Sequence, residues 1–148
     1  MKDARAAVTD LVLEVFRLNG RIVAAGDALV ADIGLTSARW QVLGAMALSP
    51  VPLPVAHIAR NMGLTRQAVQ RLADEMERDG LVRFAQNPHH RRAKLVLLTA
   101  RGKTVFAAAM KRQEPWADEL ARGLGARRLA EAAATLRLLR QRLETETD

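Results

Sequence analysis

At 148 residues, 49% of them apolar and 26% charged, the chain is sized for one domain or one compact two-part unit with its own core. It contains no cysteine, which excludes a disulfide framework, a thiol nucleophile and a cysteine metal site. The net charge of +7 is concentrated: residues 54–103 carry ten Lys/Arg against four Asp/Glu, while residues 1–53 are neutral and 104–148 carry a net +1. A basic zone of this kind is either a polyanion-binding surface or a plain solvated face.

No apolar run follows the N-terminal Met1-Lys2-Asp3-Ala4-Arg5, so no secretory signal is read. The longest stretch without Lys, Arg, Asp or Glu, Trp40 to Ala59, holds Pro50, Pro52 and Pro54 and is a poor membrane span. A soluble protein is expected, in keeping with a reducing cytoplasm. Residues 5–31 form the first predicted helix, with Val8, Leu11, Val15, Leu18, Ile22, Ala25 and Leu29 on a heptad-like stripe that Gly20 and Gly26 weaken. Thr36 or Ser37 can cap the next helix, whose apolar face reads Trp40, Leu43, Met46 and Ala47. Residues 49–54 are a proline-rich loop, with Pro54 placed as the first residue of a short helix to Met62. That helix turns Val55, Ile58, Ala59 and Met62 inward, and Gly63 ends it. Thr65 caps the following helix, with Val69, Leu72, Ala73 and Met76 on its apolar face. Residues 81–85 and 93–98 then read as two strands of a hairpin around the basic turn Gln86 to Arg92. Thr99 caps a long helix that Pro115 is expected to kink or interrupt. Gly123 and Gly125 mark a break, and a last helix shows Leu129, Ala132, Leu136, Leu139 and Leu143 at helical spacing.

The middle third therefore reads helix, Gly turn, capped helix, hairpin: a helix-turn-helix with a wing. Its second helix begins with Arg66, Gln67, Gln70 and Arg71 and holds Asp74, Glu75, Glu77 and Asp79 toward its end. This order opposes the helix dipole, which favours acids first and bases last. It suits a helix whose N-terminal half enters a major groove, where Arg pairs with guanine and Gln with adenine. The hairpin tip adds Arg91, Arg92 and Lys94, which suit the negative potential of a minor groove. The predicted DNA-binding set is Thr65, Arg66, Gln67, Gln70, Arg71, His89, His90, Arg91, Arg92 and Lys94.

Residues 35–103 resemble the multiple-antibiotic-resistance regulator (MarR) family. The likeness is carried by Leu35-Thr36-Ser37-Ala38-Arg39-Trp40-Gln41-Val42-Leu43, by Ile58 through Val69, by Leu72 through Val82, by Arg91-Arg92-Ala93-Lys94-Leu95 and by Leu98-Thr99-Ala100-Arg101-Gly102-Lys103. The resemblance implies a mainly α fold with a small β-hairpin. A winged helix-turn-helix at 35–103 is then flanked by helical dimerisation regions at 1–34 and 104–148. It also implies a cytoplasmic homodimer, often a repressor, on a near-palindromic operator in double-stranded DNA, released by a small aromatic or phenolic ligand. Arg17, Arg21, Trp40, Leu43 and Met110 are the candidate effector-binding residues, with an Arg to pair a carboxylate and Trp40 to stack on a ring. Trp40 and Met110 also suit an ordinary core. The sequence departs from the family in the wing. The family places an Asp two residues before an Arg there, and the matching positions here are His90 and Arg92. A looser wing, another anchor for Arg92, or a protonated His89 or His90 on phosphate would each answer that change.

Other classes find less support. No Gly-rich phosphate loop, paired-His motif or nucleophile elbow is present, so no enzyme, cofactor or metal site is expected. An RNA or single-strand binder would lean on stacking aromatics, and the chain has three Phe, two Trp and no Tyr. The alternative that shares the fold is a winged helix used for protein–protein interaction without specific DNA binding.

Overall fold

The computed structural model describes residues 3–145. In chain order the elements are α1 (Ala4–Val30), a 3₁₀ turn (Ala31–Ile33), α2 (Ser37–Ala47), β1 (Leu53–Pro54), α3 (Val55–Met62), α4 (Arg66–Arg78), β2 (Val82–Ala85), β3 (Leu95–Leu98), α5 (Ala100–Ala121) and α6 (Ala126–Thr145). The fold is mainly helical with a small antiparallel sheet. Two compact units divide the chain, residues 1–112 and 113–148.

In the first unit the caps act as their residue types require. Thr36 accepts from the Arg39 N–H at 3.2 Å, so Thr36 rather than Ser37 caps α2. Ser37 instead ties α2 to α1: its hydroxyl donates to the Val23 carbonyl at 2.7 Å, and its N–H donates to Asp27 Oδ1 at 2.7 Å. Thr65 accepts from the Ala68 N–H at 3.1 Å and fixes the start of α4. Between α3 and α4, Gly63 takes φ 65°, a left-handed conformation that a side chain would strain.

The sheet differs from the expected two-stranded hairpin. β3 is central and β1 pairs with its other edge, Leu53 opposite Val96 and Pro54 opposite Leu95. β2 pairs with β3 through Val82–Leu98 and Phe84–Val96. Proline is tolerated on such an edge because it has no N–H to give to the ladder. Pro54 accordingly precedes α3 as its cap residue, and the helix begins at Val55 rather than at Pro54.

The core of this unit gathers Val30, Leu35, Val42, Leu43, Met46, Leu53, Ile58, Val69, Leu72, Met76, Leu81, Val82, Val96 and Ala109. All four residues expected on the inner face of α4 are buried. On α3, Ile58 and Ala59 are buried while Val55 and Met62 are half-buried against the same cluster. On α2, Ala47 is exposed and Val42 takes the inner place assigned to it. Leu98-Thr99 closes the wing onto α5. The Thr99 hydroxyl donates to the Gly80 carbonyl at 2.6 Å and accepts from the Gly102 N–H at 3.0 Å.

α5 passes through Pro115 without interruption, the loss of one N–H being outweighed by the hydrogen bonds on either side. Its residues from Gln113 onward belong to the second unit, which turns at Gly123 and Gly125 and continues as α6. α6 carries Arg127–Glu131 and Arg140–Glu144 ion pairs one turn apart, while Leu129, Leu136 and Leu143 are exposed.

Candidate nucleic-acid interface

α3, α4 and the wing enclose a groove of about 990 Å³. One wall is the exposed face of α4, and the wing contributes Phe84, Arg92, Ala93 and Lys94. The start of α3, from Pro54 to Ala56, closes one end. Six of the ten predicted DNA-binding residues line it together: Arg66, Gln67, Gln70, Arg71, Arg92 and Lys94. Thr65 is exposed at the mouth of α4 and serves as its cap. His89, His90 and Arg91 are exposed at the wing tip and do not line the groove. There Asn87 shapes the turn, accepting from the His89 N–H at 3.0 Å on its side chain and from the His90 N–H at 3.2 Å on its carbonyl. Arg92 takes part in none of the ion pairs found among the described residues.

Three side chains of α4 that the sequence reading left out also line the groove: Asp74, Glu77 and Arg78. Gln67, Gln70, Arg71, Asp74, Glu77 and Arg78 stand at i, i+3, i+4, i+7, i+10 and i+11, so the helical period was the signal that points to them. Gln70 Nε2 donates to Asp74 Oδ1 at 2.9 Å. The remaining acids of α4 face elsewhere. Arg39 of α2, with only 18% of its side chain exposed, pairs with Asp79 at 2.7 Å and Glu75 at 3.5 Å. The unfavourable charge order of α4 thus has a structural purpose at its end: those two acids fasten the helix to α2.

Electrostatically, the groove gathers Arg66, Arg71, Arg78, Arg92 and Lys94 against Asp74 and Glu77. No acid sits in the first turn of α4, whose free N–H groups and positive dipole end therefore add to the field of Arg66. Such a surface attracts a polyanion and offers bidentate donors on Arg and mixed donor–acceptor edges on Gln.

The effector candidates are dispersed among different settings. Arg17 and Arg21 are exposed on α1, and Arg17 pairs with Glu14. Leu43 is fully buried in the core, with Trp40 half-buried against it. Met110 is 39% exposed on α5. Among the described residues no group of three or more His, Cys, Asp or Glu could hold a metal ion, and no helix is long and apolar enough to cross a membrane.

A MarR family model matches residues 33–93, which span α2, α3, α4 and most of the wing. An uncharacterised protein of Mycobacterium tuberculosis is 38% identical over 105 residues, 71% of this chain and 72% of that one. The transcriptional activatory protein BadR of Rhodopseudomonas palustris is 36% identical over 83 residues, 55% of this chain and 47% of that one. Among solved structures, the transcriptional regulator BldR of Sulfolobus solfataricus superposes with a TM-score of 0.84 at 18% identity, covering 95% of this chain and 99% of that one. The Mycobacterium tuberculosis regulator MosR, solved in complex with DNA, gives 0.73 at 24% identity over 89% and 96% of the two chains. CouR of Rhodococcus jostii RHA1, solved with p-coumaroyl-CoA, gives 0.79 at 24% identity over 88% and 91%. The chain belongs to the MarR family and carries the winged-helix fold of its transcription regulators.

Proposed function

We propose that this protein is a sequence-specific regulator that binds double-stranded DNA as a homodimer, represses from a near-palindromic operator and is released by a small aromatic ligand. The observation that carries the DNA reading is the groove in which Arg66, Gln67, Gln70 and Arg71 of α4 face Arg92 and Lys94 of the wing. The basic N-terminal half of α4 is the part of a recognition helix that reaches base edges, and the wing residues suit the neighbouring minor groove or backbone.

The dimer rests on apolar surface that one chain leaves uncovered. On α1, Val8, Val15, Leu18 and Ile22 are between 40% and 54% exposed. They fall on one stripe, and a second copy would bury them in a helix–helix seam. On α6, Leu129, Leu136 and Leu143 offer a similar row. Two-fold pairing would set two recognition helices roughly 34–36 Å apart, for successive major grooves. Repression and a cytoplasmic location follow from the family resemblance, with a dimer on its operator standing in the way of polymerase. For ligand release, CouR offers the precedent of an aromatic acyl thioester bound on this fold. Arg17 and Arg21 would meet the acid and Trp40 and Met110 the ring, while Leu43, fully buried, would stay behind them in the core.

The test is fluorescence anisotropy with a duplex from the chain's own upstream region, at two salt concentrations, against random duplex. Specific binding that weakens steeply with salt is expected, together with a dimer mass in sedimentation. Equal binding to random DNA, repeated on sequences selected from a random pool, would leave a winged helix that docks protein instead.

A further inference from the structure

The hydrogen bond between Gln70 and Asp74 fixes more than a side-chain position. A carboxylate can only accept, so the end of the Gln70 amide that faces Asp74 is its NH₂ group, at 2.9 Å. Rotating the amide by half a turn would set two acceptors against each other. Oε1 and the second N–H of Gln70 are therefore left to point away from Asp74 as an ordered acceptor–donor edge. Both residues are exposed and both line the groove between α4 and the wing.

Asp74 stands among cations and yet holds the amide. Arg71 and Arg78 lie three residues before it and four after it on the same helix. Neither pairs with it, and its partner among the described residues is Gln70. A carboxylate in this groove repels phosphate and so weakens sequence-independent attraction to DNA. An acid that improves discrimination would offset that cost.

We propose that Asp74 is a positioning residue that sets the polarity of the Gln70 amide, so that Gln70 selects an adenine in each operator half-site. The reasoning rests on α4 being a DNA recognition helix. Adenine presents N6–H₂ as donor and N7 as acceptor in the major groove, the complement of the held acceptor–donor edge. Guanine presents O6 and N7, two acceptors, and would confront Gln70 Oε1. An unrestrained glutamine rotates and tolerates both purines; the clamped one does not.

The experiment starts from the operator selected by the wild-type protein out of a random pool. Every single base-pair substitution in one half-site is then measured by anisotropy at fixed salt. Wild type, Gln70→Ala, Asp74→Asn and Asp74→Glu are compared. Gln70→Ala identifies the base pair that Gln70 reads, and that pair is expected to be A·T. Wild type should lose roughly 5-fold or more on changing it to G·C. Asp74→Asn can donate as well as accept, so it frees the amide and should lose most of that preference. Asp74→Glu keeps an acceptor-only group within reach and should retain it. Affinity for random duplex, measured alongside, carries the effect of the lost charge alone: it should rise in Asp74→Asn and stay at the wild-type level in Asp74→Glu, which separates charge from orientation. A wild-type preference kept in Asp74→Asn overturns the proposal, as does a G·C pair at the position lost in Gln70→Ala. Failure of the wild type to select any duplex refutes the DNA reading itself and the proposal with it.

Discussion

Replacing Gly102 with alanine tests how tightly the root of the wing is built. Gly102 is buried in the first turn of α5, where an added Cβ would lie 2.0 Å from the Leu81 carbonyl oxygen, 3.0 Å from its carbon and 3.2 Å from Leu98 Cδ2. The first contact must open by about 1 Å or more before it becomes tolerable. Leu81 cannot give easily, because its N–H donates to Met76 at 2.9 Å and its carbonyl accepts from Thr99 at 3.1 Å. The moving part is backbone held between the end of α4 and the start of β2. Overpacking by one methyl typically costs about 1–3 kcal/mol, and a rigid neighbour argues for the upper half of that range. Alanine returns about 0.5–1 kcal/mol of helix propensity, so the net loss is about 1–2.5 kcal/mol. At about 2–4 °C per kcal/mol the melting temperature should fall by about 2–10 °C. Gly44→Ala is the matched control: it also lies inside a helix, but its Cβ would meet only Phe106 Cε2 at an ordinary 3.7 Å. Thermal and urea unfolding by circular dichroism should show Gly102→Ala below wild type and Gly44→Ala at or above it. Equal stability of the two variants would refute the close approach of α5 to Leu81.

Two further outcomes follow from the ion pairs around the winged domain. Arg39→Met removes the pairs to Asp79 at 2.7 Å and Glu75 at 3.5 Å. With those acids 51% and 35% exposed, solvent screening limits the loss to about 1 kcal/mol. The urea midpoint should fall, and specific DNA binding should weaken more than binding to random duplex because α4 loses its anchor. An unchanged midpoint would show the bridge to be idle. At Asp32, the hydrogen bond from Arg112 holds the carboxyl below its ordinary range, with the Arg112 charge adding to the effect against some desolvation. A depressed folded pKa contributes stability above the ordinary carboxylate range and loses it as pH falls through the folded value. Wild type should therefore lose stability on acidification more steeply than Arg112→Met, measured as urea midpoints from neutral into the acid range. Parallel curves would rule out that contribution.

How much of this was legible in the sequence depends on the range of the interaction that decides each feature. The inner face of α4 was plain because Val69, Leu72, Ala73 and Met76 match one helical period and the polar residues fill the other side. α2 was harder. Apolar residues run right round it, Trp40, Val42, Leu43, Ala45, Met46 and Ala47 among them, so periodicity could not choose between Val42 and Ala47. β1 was invisible for a different reason. Leu53 and Pro54 have no strand pattern of their own and become a strand only by pairing with Val96 and Leu95, some 40 residues away. At the groove, Arg66, Gln67, Gln70, Arg71, Arg92 and Lys94 could be named because base-reading Arg and Gln and basic wing residues, with no acid close by, stand out along a chain.

The acids of α4 could not be read that way, and they explain the helix best. In sequence, Asp74, Glu75, Glu77 and Asp79 look like one acidic half, set at the wrong end for the dipole. In the fold they separate by the angle of 100° per residue that a helix imposes. Glu75 and Asp79 turn to Arg39 and fasten the helix from behind. Asp74 and Glu77 turn to the groove, where Asp74 holds Gln70. The same charge order that costs helix stability thus keeps carboxylates out of the first turn, where phosphate would be repelled. It places them one and more turns further on, where one pair anchors the helix and one member of the other orients its neighbour. A reversal of charge order, acids first and bases last, would give a more stable helix and a poorer reader of DNA.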